Sequence, residues 1–129
     1  MAVLESYNAQ LENLGRQVQV LQASMDDLTR ARNTLKTLEN SKEGDEVLLP
    51  IGGSSYINTT VTKTTKVIVG VGTRTSVEKT IAEAMTFIEN NGNEVSEALR
   101  KAAGAMTEIE AMANDLQMAI ENEYRNRQQ

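Results

Sequence analysis

Apolar residues recur in alternating steps of three and four along both ends of this chain, and that repeat constrains its fold more than any other feature. In the first stretch they fall at Leu4, Tyr7, Leu11, Leu14, Val18, Leu21, Met25 and Leu28; Arg32 takes the next seam position and Leu35 restores the pattern. A seven-residue repeat held for about four heptads predicts a coiled-coil helix rather than a globular one. A second repeat runs from Ile81 to Ile120. Its two seam rows are Ile81, Ile88, Val95, Ala102, Ile109, Leu116 and Met85, Gly92, Leu99, Met106, Ala113, Ile120. The small residues Gly92, Ala102 and Ala113 are suited to close approach of a partner helix. Asn90-Asn91-Gly92-Asn93 carries loop composition. The heptad phase is the same on both sides of it, which a loop has no reason to preserve, so a continuous, bent helix is the preferred reading over a break.

The residues between the repeats change period. Ser41-Lys42-Glu43-Gly44-Asp45 ends the first helix. Val47–Ile51 and Ser55–Val61 read as strands around a Gly52-Gly53 turn. Lys63-Thr64 offers another turn, and alternation from Val67 to Gly72 gives a third strand. Pro50 has no backbone donor, so it belongs at a strand end, a bulge or a free edge. Two capping boxes compete to start the second helix, Thr75…Glu78 and Thr80…Glu83. The heptad begins at Ile81, which favours the second and frees Thr75 to Lys79 as a fourth strand. The expected organisation is a helix over 1–40, two β-hairpins over 41–79 and a helix over 80–129. Folded back on itself, such a mainly α chain is an antiparallel coiled coil with hairpins at one end and both termini at the other. The first arm would be roughly 57 Å long at the α-helical rise.

Composition removes several kinds of chemistry. The chain has no Cys and no His, so it lacks a thiol nucleophile, a disulfide framework and the commonest general base and zinc ligand. Its Ser and Thr residues have no His to activate them. The net charge is −5, concentrated in residues 80–129, which carry −5 against −1 for 1–40 and +1 for 41–79. That balance opposes binding to a phosphate backbone, so no nucleic acid is expected. No apolar run approaches the roughly 20 residues needed to span a bilayer, and MAVLESYNAQ is not a signal peptide. A soluble, cytoplasmic protein is expected. Gly52-Gly53-Ser54-Ser55 lacks the lysine and following helix of a phosphate-binding loop and reads as a hairpin turn. Gly70-Val71-Gly72 lacks the third glycine and the βαβ setting of a dinucleotide fingerprint, so a strand with close backbone contact is the better reading. The acidic pairs Glu108/Glu110 and Glu121/Glu123 read as solvated helix faces rather than cation sites. No catalytic set, cofactor or metal is expected.

LLPIGGSSYI at 48–57 and KVIVGVGTRTSVEKTIAEAMTFI at 66–88, with the flanking heptads, resemble the prefoldin family, and the two hairpins resemble its archaeal α-type subunit. The resemblance covers nearly the whole chain. It implies a chaperone subunit working without ATP in a hexamer of two α-type and four β-type subunits. The strands would assemble into a β-barrel body, and the coiled-coil tips would capture unfolded proteins and deliver them to a group II chaperonin.

The residues point the same way. A lone hairpin is marginal in water, so the apolar faces of Val47, Leu49, Ile51, Ile57, Val67 and Val69 need other chains and mark subunit assembly. Antiparallel pairing brings Tyr7 and Tyr124 together at one tip with Met1, Val3, Leu4, Leu116, Met118 and Ile120; these residues either finish the seam or, as the resemblance implies, form a client-binding tip. Flexible Met suits loose binding of many partners. Phe87, near the sheet, is expected to pack on the β body. A structural coiled-coil adaptor tethering two folded partners is the alternative, with an enzyme a distant third. An adaptor would bind one sequence at fixed stoichiometry, whereas a holding chaperone would protect unrelated unfolded proteins.

Overall fold

The computed structural model describes residues 2–62 and 66–128. The expected turn at Lys63-Thr64 and the terminal Met1 lie outside the described residues. The element order is α1 (Ala2–Glu39), β1 (Glu46–Gly52), β2 (Ser55–Thr60), β3 (Val67–Gly72), β4 (Thr75–Lys79) and α2 (Ile81–Gln128). The chain divides into two compact units. One, here the terminal unit, joins the residues up to Ser24 with those from Val95 on. The other, the hairpin unit, is Met25–Glu94.

In the terminal unit the heptad pattern becomes a burial pattern. Leu4, Tyr7, Leu11, Leu14, Val18 and Leu21 of α1 are half-buried, as are Val95, Leu99, Met106, Ala113, Leu116 and Ile120 of α2, while Ala102 and Ile109 are buried. α2 also covers a third row, since Ala98 and Ala105 beside the seam are half-buried. Helical spacing puts side chains three and four apart on one face, so each helix hides one stripe and exposes the rest.

In the hairpin unit the stripe departs from the expected phase. Leu28, Ala31, Thr34 and Leu38 are half-buried and Leu35 is buried, but Arg32 is exposed. The expectation that Arg32 occupies the seam is corrected: a guanidinium is costly to bury without partners, and Ala31 turns inward instead. Arg32 Nε lies 3.9 Å from Glu89 Oε1 across the two helices, with both side chains about half exposed. Behind it, Leu35, Val69 and Ala84 form the buried core, with Val67, Ile81, Met85, Phe87 and Ile88 packed against them. α1, α2 and β3 thus meet in one cluster, and Phe87 packs there as expected.

Local chemistry sets the element ends. After Asn40, Ser41 Oγ donates to the Thr37 carbonyl at 2.6 Å, and the Lys42 amide donates to Asp45 Oδ2 at 2.8 Å. Gly44 adopts φ +90°, a backbone region that favours glycine, and its amide donates to Val61 O at 2.9 Å. β1 and β2 then pair antiparallel from Glu46↔Thr60 to Gly52↔Ser55, with a register break between Pro50 and Gly52. Pro50 therefore sits beside a bulge, as a residue without an N–H should. β3 and β4 pair from Val67↔Lys79 to Gly72↔Thr75, with a break between Gly70 and Gly72. The hairpins are two separate two-stranded sheets.

α2 starts at the second capping box. The Glu83 amide donates to Thr80 Oγ1 at 3.2 Å, and the Thr80 amide donates back to Glu83 Oε1 at 3.1 Å. The rival box, Thr75…Glu78, lies within β4. The helix then runs unbroken through Asn90–Asn93, which settles the choice between a helix and a loop there. Gly92 is not there for close packing: a Cβ built on it meets nothing within 4 Å, and the same holds at Gly70 and Gly72.

Candidate functional site

Two sets of exposed apolar side chains are the candidates, one on the hairpins and one in the terminal unit. Strand alternation divides each hairpin into two faces. Val47, Leu49, Ile57 and Thr59 share one face of the first; Leu48, Pro50, Tyr56 and Asn58 share the other. In the second, Val67, Val69 and Val77 lie opposite Ile68 and Glu78. The chain itself covers much of the first face of each: Val47 and Val69 are each 8% exposed, and Leu49 and Val67 are half-buried. Of the residues expected to mediate assembly, only Ile51 and Ile57 stand free. The larger free surface is on residues that sequence reasoning passed over: Leu48, Tyr56, Ile68, Val71 and Val77. Ile68 is the most open, at 72%. The signal was present, because Val67 to Val71 is apolar on both faces apart from Gly70. Alternation alone does not say which face is covered.

The first hairpin also stands off α1. An open cleft of about 700 Å³ separates Asp27, Arg30, Ala31 and Thr34 from the Pro50–Tyr56 turn. Gly52, Gly53 and Ser54 all adopt positive φ in that turn, a conformation that suits glycine and strains serine.

In the terminal unit, Leu4, Tyr7, Leu116 and Ile120 are half-buried, and Val3, Met118 and Tyr124 are exposed. Met112, not singled out from the sequence, is exposed as well. Tyr7 and Tyr124 are in unlike settings. Tyr7 is in the seam, whereas Tyr124 is 63% exposed within 121–128, a stretch in which every residue is exposed. α2 has 48 residues and α1 has 38, and burial on α2 stops at Ile120. Tyr124 follows Ile120 by four positions and so continues the seam face by one turn, uncovered. Ile120, Glu123, Tyr124 and Arg127 line a shallow recess there, and Arg127 donates to Glu123 at 2.8 Å. Met118 stands roughly 160° round the helix from Ile120 at about 100° per residue. The exposed apolar groups therefore ring the helix rather than forming one patch.

Little charge is stored in either set. The Arg100 guanidinium hydrogen-bonds Glu97 on the surface of α2, which holds the Glu97 carboxyl below its usual range and raises Arg100. Lys66 Nζ lies 3.5 Å from Glu78 beside the open Ile68. Among the described residues, no group of three or more Asp and Glu comes together to hold a metal ion. Among the described residues, no helix is long and apolar enough to cross a membrane.

The model of the family described as prefoldin subunit matches residues 7–126. The chain belongs to the prefoldin family. Its two hairpins and its relatives place it on the α-type side, as a chaperone subunit. It is 30% identical to prefoldin subunit alpha of Methanoculleus marisnigri, over 98% of this chain and 84% of that protein. It is 36% identical to prefoldin subunit alpha of Pyrococcus horikoshii, over 80% of each. Among solved structures it is similar to filamentous PFD (prefoldin) from Methanocaldococcus jannaschii, seen by cryo-electron microscopy. That match has a TM-score of 0.71 and 30% identity, and covers 92% of this chain and 99% of the other. The helix–hairpins–helix order is thus a prefoldin's, and the tethering-adaptor alternative is not favoured.

Proposed function

We propose that this chain holds unfolded proteins through the terminal unit and assembles with other prefoldin subunits through the hairpins, with β-type subunits as the partners. The segments 1–40, 41–79 and 80–129 then act as arm, assembly module and arm. The observation that carries the reading is the separation of the exposed apolar side chains into these two sets. On the hairpins, Leu48, Ile51, Tyr56, Ile57 and Ile68 offer apolar surface and unpaired strand edges. Two-stranded sheets are marginal until such surface is covered. Val47, Leu49, Val67 and Val69 support the hairpins from beneath. In the terminal unit, Val3, Met112, Met118 and Tyr124 are free, with Leu4, Tyr7, Leu116 and Ile120 behind them. Met1 is assigned to the same set by its place in the sequence.

Each contact with an unfolded segment is weak and tolerant of sequence, and several subunits acting on one client multiply the effect. Nucleotide and metal have no part in such holding, and no catalysis is proposed. Clients would pass to a group II chaperonin in the cytoplasm. The filamentous relative favours one further reading, open-ended self-assembly through the same hairpins. Native mass spectrometry with and without a β-type partner separates a discrete mixed complex from a ladder of self-assembled species. For client holding, Val3, Met118 and Tyr124 are replaced together by Ser. All are exposed, so the fold is spared. Complexes confirmed intact by size-exclusion chromatography, with the partner tips disabled, should then lose most of their suppression of aggregation in a light-scattering assay. ATP and chelators should change nothing. Full protection by the triple variant would remove the terminal unit as the client site.

A further inference from the structure

α2 carries a run of poor helix formers that its packing does not explain. Asn90, Asn91, Gly92 and Asn93 follow one another inside a continuous helix. Each is a weaker helix former than alanine, Gly most of all. Gly92 sits on a seam row, yet a Cβ there would meet nothing within 4 Å, so no close approach demands it. Asn91 is half-buried and Asn93 exposed. Asn91 is also the only asparagine in the chain followed by glycine.

We propose that Asn91 is a site of spontaneous deamidation, gated by local opening of α2 at residues 90–93. In the open segment the Gly92 backbone nitrogen, having lost its proton, attacks Cγ of Asn91. A bond forms between that nitrogen and Cγ, the bond from Cγ to the side-chain nitrogen breaks, and ammonia leaves. Water then opens the cyclic imide at one carbonyl or the other, giving aspartate or isoaspartate. The net change is amide plus water to carboxylate plus ammonium, with no oxidant or cofactor. Glycine favours the step because it has no Cβ to obstruct the approach. The closed helix opposes it, because the Gly92 N–H is held in the helical ladder and its nitrogen cannot reach Cγ. The rate therefore follows the open population. The product places a negative charge at a half-buried position between Glu89 and Glu94. In its isoaspartyl form it also lengthens the main chain by one methylene, which no α-helix accommodates. Deamidation thus marks and loosens this part of α2 irreversibly.

The test ages the full-length chain, assembled with its β-type partner, at mildly alkaline pH and maps every asparagine by peptide mass spectrometry. Asn91 should convert faster than every other asparagine, including Asn40, which precedes Ser41 just past the end of α1. Gly92→Ala should abolish the conversion. Asn93→Ala leaves the Asn-Gly pair intact and only strengthens the helix, and should slow conversion about two- to threefold. In denaturant, Asn93→Ala and the unaltered chain should convert at the same, faster rate. The deamidated species, separated by ion exchange, should melt at a lower temperature. Conversion at Asn91 no faster than at Asn40 in the native complex would overturn the site. An Asn93→Ala rate equal to that of the unaltered chain in the native complex would overturn the gating.

Discussion

Leu35 and Arg32 lie three positions apart on α1 and contribute very differently. Leu35 is 6% exposed and touches the cluster where α1, α2 and β3 meet. Truncation to Ala removes buried methyl groups and leaves a cavity, at a cost of about 3 kcal/mol. Thermal denaturation followed by circular dichroism should show a clear fall in melting temperature. Arg32 was expected in the seam, where its loss would be felt strongly. It instead makes an exposed contact with Glu89 at 3.9 Å, and such pairs contribute roughly 0–1 kcal/mol. Arg32→Ala should leave the melt almost unchanged; a loss comparable to that of Leu35→Ala would put the arginine back in the seam.

At the scale of the element, α2 depends on its first turn. The reciprocal Thr80–Glu83 bonds satisfy amides that the helix cannot satisfy itself. Thr80→Ala should lower stability by about 1 kcal/mol. The Glu83 carboxyl is held below the usual glutamate range, first by the backbone hydrogen bond from Thr80 and then by the Thr80 side chain. Its folded pKa is lowered, so its contribution is present above the ordinary carboxylate range and is lost as pH falls through the lowered value. Melting temperature should therefore be insensitive to Glu83 near neutrality and decline in acid. Glu83→Gln, which keeps an acceptor but does not titrate, should flatten that acid decline. An identical pH profile for the two proteins would mean that other carboxylates govern it.

At the scale of the molecule, the second hairpin packs Val67 and Val69 against the chain's own helices and leaves Ile68 open, and Leu48 of the first hairpin is open as well. Replacing Leu48 and Ile68 with Asp adds charge at positions 62% and 72% exposed. The isolated chain should keep its helicity and melt, since neither residue is in its core. Burying both in an assembly would instead desolvate two unpaired carboxylates. Mixing with a β-type partner should then give free subunits in place of a complex by size-exclusion chromatography with light scattering. A complex of normal mass would show that these faces remain in solvent after assembly.

Periodicity along the chain determined the elements. The three-and-four spacing from Leu4 to Leu28 and from Ile81 to Ile120 specifies two helices that each bury a stripe, and alternation around Gly52-Gly53 specifies a hairpin. Residues at short separation decide these patterns, so they are legible in one sequence. The same is true of the Thr80…Glu83 start, where the heptad phase chose between two caps. Three features needed the tertiary structure. Val69 and Ile68 are equally suited to burial, and only the arrival of Leu35 and Ala84 selects Val69. Ala31 is half-buried in place of Arg32, whose guanidinium reaches out to Glu89 of the second helix. Tyr124 matched Tyr7 in the sequence, yet it extends past the last covered residue of α2, because helix length and pairing register together decide which turns find a partner. In each case the deciding neighbour is far away in the chain, and local spacing carries no information about it.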